Sequence, residues 1–197
     1  HSRCQHGTIT LHGGMVRNNL HIAMNGEGAE TNALGLFLID KNQHVDSFTV
    51  IEHASPSCTS NQHYKGVLDD TSTGSFNGKI HVLPDAQKTG AFQTNNNILL
   101  SDTAKMNTKP QLEIYADDVK CSHGATVGQL DEDALFYLQS RGIPKDESRL
   151  LLMDAFADGV ISRIEQTVLQ IRIRDLVGKR LRGKLSRCNN CAMNCKE

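Results

Sequence analysis

The sequence predicts a mainly β protein with a helical C-terminal part, and two observations support this. Residues 1–130 are rich in Asn, Thr, Gly, Ser and His and carry short apolar runs of strand length. Residues 131–185 are rich in Leu, Arg, Asp, Glu and Ile, and their apolar residues follow a helical period. No helical segment separates the apolar runs of the first part, which excludes a doubly wound α/β fold.

Seven apolar runs divide the first part, and they begin roughly 13 to 18 residues apart, which is a repeat signal. The runs are 21–24, 36–39, 49–51, 65–68, 80–83, 98–100 and 112–115. Two architectures fit this spacing: a parallel β-solenoid, in which each strand pairs with its equivalent in the next coil, and an antiparallel sandwich. The spacing alone leaves both open.

Turn-forming pairs stand between or beside these runs. Asn and Asp tolerate turn conformations and glycine adopts them freely, so the pairs predict turns. The predicted turns are at 25–26, 69–70, 77–78 and 84–85. At Asn95-Asn96-Asn97 the sequence fits either a side-chain ladder or a turn, and a turn is favoured.

The second part predicts three helices. Asp131 is a suitable N-cap for the first, Gly142 ends it, and Pro144 opens the second. Gly159 is expected to break or kink the second helix. The third is expected to carry one apolar stripe made by Ile161, Ile164, Val168 and Ile171.

The predicted organisation is therefore a β domain over residues 1–130, truncated at its N-terminal side, a helical domain over 131–183, and a Cys-rich flexible tail over 184–197. A formal net charge of −1 gives no reason to expect nucleic acid or an anionic membrane as a partner. No apolar run is long enough to span a bilayer. The six cysteines do not form the dense framework of a secreted scaffold, which predicts a reducing, cytoplasmic location.

Two groups of residues are candidates for binding a metal. Cys121 and His123 are two residues apart, so on a strand they would point to one face and bind iron or zinc, or handle sulfur. A buried thiol beside a hydrogen-bonded histidine explains the same spacing. In the tail, Cys188, Cys191 and Cys195 offer three thiols, and a closed zinc site would need a fourth ligand. The other eight histidines are expected to be surface or turn residues.

Several enzyme motifs are absent from the sequence. It has no GxxxxGK[ST] phosphate loop, no GxGxxG after a strand and no GxSxG elbow. One enzyme class stays open, a β-helix enzyme acting on a polyanionic polysaccharide, in which carboxylates would line a groove. Turn and capping roles explain the same carboxylates, which are Asp46, Asp69, Asp70, Asp117 and Asp118.

The segment from Lys109 to Gly142 closely resembles the SufD branch of the SufB/SufD family. Its central run is Lys-Cys-Ser-His-Gly-Ala-Thr at 120–126, which the SufB branch does not share, and further similar stretches lie at 16–20, 43–46, 64–69, 76–79 and 85–89. The resemblance covers roughly residues 15 to 180. It implies a right-handed parallel β-helix (solenoid) flanked by helical domains, of which the N-terminal one is not in this chain. The Cys-rich tail departs from the family pattern.

The resemblance also implies a function. The chain is expected to be a non-catalytic scaffold subunit of the SUF iron–sulfur cluster assembly complex, pairing with SufB and docking the SufC ATPase through its helices. Cys121 and His123 match family residues at the SufB–SufD interface, where a cluster or iron would be held transiently. The isolated chain is expected to bind no cofactor, and its oligomeric state includes a homodimer as one option.

Overall fold

A computed structural model describes residues 1–185, which form nine strands followed by three helices. The strands are β1 (Arg3–Thr10), β2 (Met15–Met24), β3 (Glu30–Ile39), β4 (His44–His53), β5 (Thr59–Leu68), β6 (Thr73–Val82), β7 (Thr89–Leu99), β8 (Lys105–Ile114) and β9 (Val119–Gly128), and the helices are α1 (Glu132–Ser140), α2 (Lys145–Ile161) and α3 (Thr167–Leu181).

The strands form a parallel β-solenoid. Odd-numbered strands make one sheet in the order β1-β3-β5-β7-β9, and even-numbered strands make the other in the order β2-β4-β6-β8. Each strand from β1 to β7 pairs in parallel with its equivalent one coil later, as Thr31 of β3 does with Ser60 of β5. The solenoid prediction is therefore confirmed, and the antiparallel alternative is wrong. Each coil contributes two strands, which is why the apolar runs recur at half the length of a coil.

The interior of the solenoid is apolar with polar side chains at intervals. Phe76, Ile51 and Ile80 are fully buried there. Buried polar residues pair with one another where they can, as when Thr49 Oγ1 donates to Gln62 Oε1 at 2.8 Å. Other buried polar atoms have no protein partner, among them both amide atoms of Gln93. Interior water is the usual partner for such groups.

Two of the predicted turns are wrong because the residues lie inside strands. Asn95 and Asn97 are buried on β7, where the Asn97 amide donates to Asn95 Oδ1 at 2.8 Å. Gly78 lies in β6, and a Cβ there would meet the Gln93 amide nitrogen at 2.4 Å. The glycine is needed for space inside the coil rather than for a turn, so stacking between coils overrides the local turn signal. Turns or bends do occur at 25–26, 69–70 and 84–85.

The helices begin as predicted but break elsewhere. The Asp131 carboxylate accepts from the Asp133 and Ala134 N–H groups at 3.0 Å, which confirms the N-cap. Gly159 does not interrupt α2, which continues to Ile161. A Cβ at Gly159 would lie 2.4 Å from Lys65 Nζ, so this glycine admits a side chain from the solenoid. The break follows at 162–166.

Helices α2 and α3 cover the outer face of the five-stranded sheet near β3 and β5. One apolar cluster joins the two layers, in which Leu36 and Val67 of the sheet meet Ala157, Val160 and Val177 of the helices. The predicted stripe on the third helix is wrong in part: Val168 is 82% exposed and Ile171 62% exposed, while Ile173 and Val177 make the contact. No helix within residues 1–185 is long and apolar enough to cross a membrane.

Candidate functional site

The last strand, β9, carries the predicted pair Cys121 and His123. It forms one edge of the five-stranded sheet, where it pairs with β7, and among residues 1–185 no strand pairs with its outer edge. Eight of its ten residues are exposed, so most of the strand is accessible. An edge strand with free backbone groups invites pairing with another chain.

Cys121 and His123 share one face of β9, as their spacing predicts. In the register, Cys121 is the neighbour of Ala91 and His123 the neighbour of Gln93, and both neighbours are buried inside the solenoid. The pair therefore lies on the face that points inward in the preceding coils. His123 is nevertheless exposed, because no further coil covers the end of the stack among the described residues.

The two side chains differ in environment. Cys121 is partly buried against an apolar cluster that includes Ile80, Val82 and Ala91. Burial raises the pKa of the Cys121 thiol, and a backbone hydrogen bond at Ala91 acts in the opposite direction. A thiol with a raised pKa is mostly protonated near neutral pH and is a weak nucleophile and metal ligand until a cation or metal approaches.

The pair supplies one sulfur and one nitrogen donor. Within the part of the chain that the structure describes, no group of three or more His, Cys, Asp or Glu residues is placed to hold a metal ion. Iron–sulfur clusters usually take about four protein ligands. Cys121 and His123 could therefore act as ligands only together with donors from elsewhere.

Comparison with known proteins identifies the family. Residues 1–156, which include β9 and both candidate side chains, match the family model for the SUF system FeS cluster assembly SufBD core domain. The chain belongs to the SufBD core family.

Similar members of this family come from distant organisms. The chain is 40% identical over 176 residues to the iron–sulfur cluster assembly protein SufD of Escherichia coli, covering 89% of this chain and 42% of that protein. It is 40% identical over 172 residues to a SufBD family protein of Synechocystis, with 87% and 38% covered. A SufBD family protein of Mycobacterium leprae is 35% identical over 178 residues, with 86% and 45% covered. The chain thus spans less than half the length of these relatives.

The remaining sequence-predicted residues of this SufBD core chain fall into three groups. The tail cysteines Cys188, Cys191 and Cys195 lie outside the described residues, so their role stays a prediction. His53 is not a surface residue: it is buried inside the solenoid, where its Nε2 lies 2.8 Å from Ser60 Oγ, and burial lowers its pKa to about 4.

The third group is the set of carboxylates considered for a polysaccharide-active enzyme. Asp46 pairs with Arg17 at 2.8 Å, and Asp70 accepts from the Lys41 N–H at 2.9 Å. Asp69 Oδ1 accepts from the Asp70 N–H within the same turn. Asp46, Asp69 and Asp70 therefore have structural roles at two separate places, and they give no support to a catalytic groove.

Sequence reasoning missed a second group of polar residues, which is on the outside of the solenoid. His63 and Lys65 of β5 face Arg163, which follows α2, across a groove between the sheet and the helix. Nothing in the local sequence brings residue 163 next to residue 65. One feature of the sequence hinted at this group. Two basic residues, His63 and Lys65, share the outward face of β5 with the apolar Val67.

Proposed function

We propose that this chain acts as a non-catalytic scaffold subunit of the SUF complex, which pairs with SufB at the β9 end of the solenoid and docks SufC through its helices. The complex would hold a nascent iron–sulfur cluster, or its iron, as cargo at the subunit boundary. Cys121 and His123 would supply this chain's share of the ligands, and SufB would supply the others.

The observation that carries this proposal is the position of the pair on an accessible edge strand. Large side chains are exposed at the same end, where Tyr115 after β8 is 61% exposed and Val127 on β9 is 42% exposed. Apolar surface beside unpaired backbone groups favours contact with another protein. Two donors of different softness, placed at this edge, suit a shared iron or cluster site.

His123→Ala tests the proposed cluster site in a complex assembled from this chain, SufB and SufC. Cluster formation, followed by its visible absorbance, should fall about tenfold or more, because losing even an outer-shell partner of a metal ligand typically costs about 10- to 100-fold. His21→Ala is the matched control, since His21 is also an exposed histidine on a strand of the solenoid. Full cluster assembly in the His123→Ala complex would exclude the proposed role.

The proposed SufC contact rests on the apolar side chains that the helices leave exposed. Val168 on α3 is 82% exposed and Phe136 on α1 is 74% exposed. Apolar residues concentrated outside the core are typical of docking surfaces.

Val168→Glu should weaken co-purification with SufC, because it places a charge on this surface without touching the core. Met15→Glu is the matched control, since Met15 is also 82% exposed but lies on β2 of the solenoid. Deletion of residues 131–197 should abolish co-purification. Equal retention of SufC by the Val168→Glu and Met15→Glu proteins would contradict the assignment of SufC to the helices.

A further inference from the structure

A groove of about 590 Å³ separates the outer face of the five-stranded sheet from the C-terminal half of α2. The sheet contributes His63, Lys65, Asn96 and Thr126, and the helical side contributes Phe156 and Arg163. The groove lies on the outside of the solenoid, whereas Cys121 and His123 lie on the inward-facing side of β9. The groove contains none of Cys121, His123, Phe136 and Val168, although Val127 of β9 also lines it.

Two cations in this groove have no acidic partner. Within residues 1–185, no carboxylate lies within ion-pair distance of Lys65 or Arg163, although ten other ion pairs form. Lys65 Nζ donates to the Phe156 carbonyl at 3.0 Å, and Arg163 Nε donates to the Gly159 carbonyl at 3.1 Å. Lysine has three donors and arginine five, so both residues retain donors for a ligand.

The charges act on one another. Burial, together with the nearby Arg163 and Lys65 charges, lowers the pKa of His63 to about 4. Burial, and then Arg163, also lowers the pKa of Lys65. The carboxylate that lines the groove is Asp131, which is already committed to capping α1 through two backbone N–H groups. The groove therefore holds two cations, Lys65 and Arg163, against the single carboxylate of Asp131, which forms an ion pair with neither.

Next to the two cations, neutral hydrogen-bonding side chains line the groove across the sheet. Lys65, Asn96 and Thr126 are register neighbours on β5, β7 and β9, so their side chains form one outward row. The Asn96 amide donates to Thr126 Oγ1 at 2.8 Å, which leaves the threonine hydroxyl proton free to donate. On the opposite wall, the Phe156 ring lies 4.3 Å from Lys65 Nζ and offers an apolar surface.

We infer that this groove is an oxyanion-binding site that takes a phosphate-type group, either free or carried by a small organic molecule. Lys65 and Arg163 provide the charge, because charge-assisted hydrogen bonds to oxyanions are the strongest that side chains make. Thr126 provides a neutral donor, and Phe156 provides contact area for an organic substituent. The inference does not depend on the proposed function of the chain.

The test is an NMR titration of the 197-residue chain, observing the His63 ring, with inorganic phosphate against chloride at equal ionic strength. Bound phosphate favours the imidazolium form, so the pKa of His63 should rise with phosphate and stay unchanged with chloride. Arg163→Gln should weaken phosphate binding about tenfold, which is the usual scale for one charge-assisted contact. Arg163 is exposed, so the Arg163→Gln variant keeps its fold. Lys65→Met is a less direct test, because Lys65 also contacts α2 through the Phe156 carbonyl.

Lys179→Gln is the matched control, because it removes a cation that already pairs with Asp175 at 2.7 Å outside the groove. It should leave phosphate affinity unchanged. Phenyl phosphate distinguishes the two sources of the oxyanion: tighter binding than inorganic phosphate indicates a carried group, and equal binding indicates the free ion. An equal response to chloride, no response to phosphate, or undiminished phosphate affinity in Arg163→Gln would each overturn the inference.

Discussion

The middle coils, from β3 to β6, and the last strand β9 have the same backbone arrangement but different surroundings. On β4 and β6 every second residue is buried, whereas most of β9 is exposed. A solenoid buries the inward face of each coil by stacking the next coil on it. The comparison shows that position in the stack, more than residue type, decides whether an inward-facing side chain is accessible.

Each region contains a glycine, a histidine and a cysteine, so matched substitutions can test the comparison. The pairs, with the middle-coil residue first, are Gly35 and Gly124, His53 and His123, and Cys58 and Cys121. Neighbouring residues pack closely around Gly35, His53 and Cys58. The matched residues Gly124, His123 and Cys121 lie on β9, at the open end of the stack.

The largest expected effect is the pH dependence of stability that comes from His53. Its pKa is about 4 in the folded chain, below its ordinary value of 6.5. Between these values the unfolded chain binds a proton that the folded chain does not, so stability is full above pH 6.5 and declines as the pH falls towards 4. The loss is about 3 kcal/mol by linkage.

The measurement is urea unfolding of the wild-type chain and the His53→Gln variant across this pH range. Over this pH range the free energy of unfolding of His53→Gln should fall by about 3 kcal/mol less than that of the wild-type chain. His63, whose pKa also falls to about 4, is present in both proteins, so its contribution cancels. Parallel pH profiles for the two proteins would show that His53 is accessible to solvent, and the contrast between the regions would then fail.

The glycine pair gives the next largest effect. A Cβ on Gly35 would lie 2.1 Å from the ring of Tyr64, which is buried and packs at a tilt against the ring of Phe76. Gly35→Ala should therefore lower the free energy of unfolding by about 2 to 3 kcal/mol, as overpacking does in tight cores. A Cβ on Gly124 meets nothing within 4 Å. Gly124→Ala should be neutral or slightly stabilising, and a similar loss in both variants would contradict the open end of the stack.

The fold could be predicted from the sequence wherever strands bury an apolar segment. All seven apolar runs begin in the C-terminal halves of β2 to β8. The five runs on β3 to β7 mark strands that are paired on both sides. The end strands β1 and β9 carry no such run, and the sequence signal for β9 came from the family motif instead. Asn95 and Asn97 resembled a turn because a buried polar ladder uses the same residue types.

The candidate site could be predicted in its residues but not in its orientation. A spacing of two residues places Cys121 and His123 on one face of a strand, but which face depends on the register with β7. Long-range contacts are harder still, since the groove that brings Lys65 beside Phe156 and Arg163 joins residues that lie far apart in sequence. Local patterns carry no information about such pairs.

The smallest expected effect is on stability when Cys121 is replaced by alanine. Its sulfur is only partly buried at the edge of an apolar cluster, so Cys121→Ala should lower the free energy of unfolding by about 0.5 kcal/mol or less. Cys58 is fully buried, and its thiol lies 3.3 Å from the Gly26 carbonyl, so Cys58→Ala should cost about 1 to 2 kcal/mol. Urea unfolding at neutral pH measures both changes in the free energy of unfolding.

If Cys121→Ala proves as costly as Cys58→Ala, the main role of the Cys121 thiol is packing. If it is nearly neutral while cluster assembly in the complex falls, the loss belongs to the chemistry of the sulfur, because the fold that presents it is unchanged.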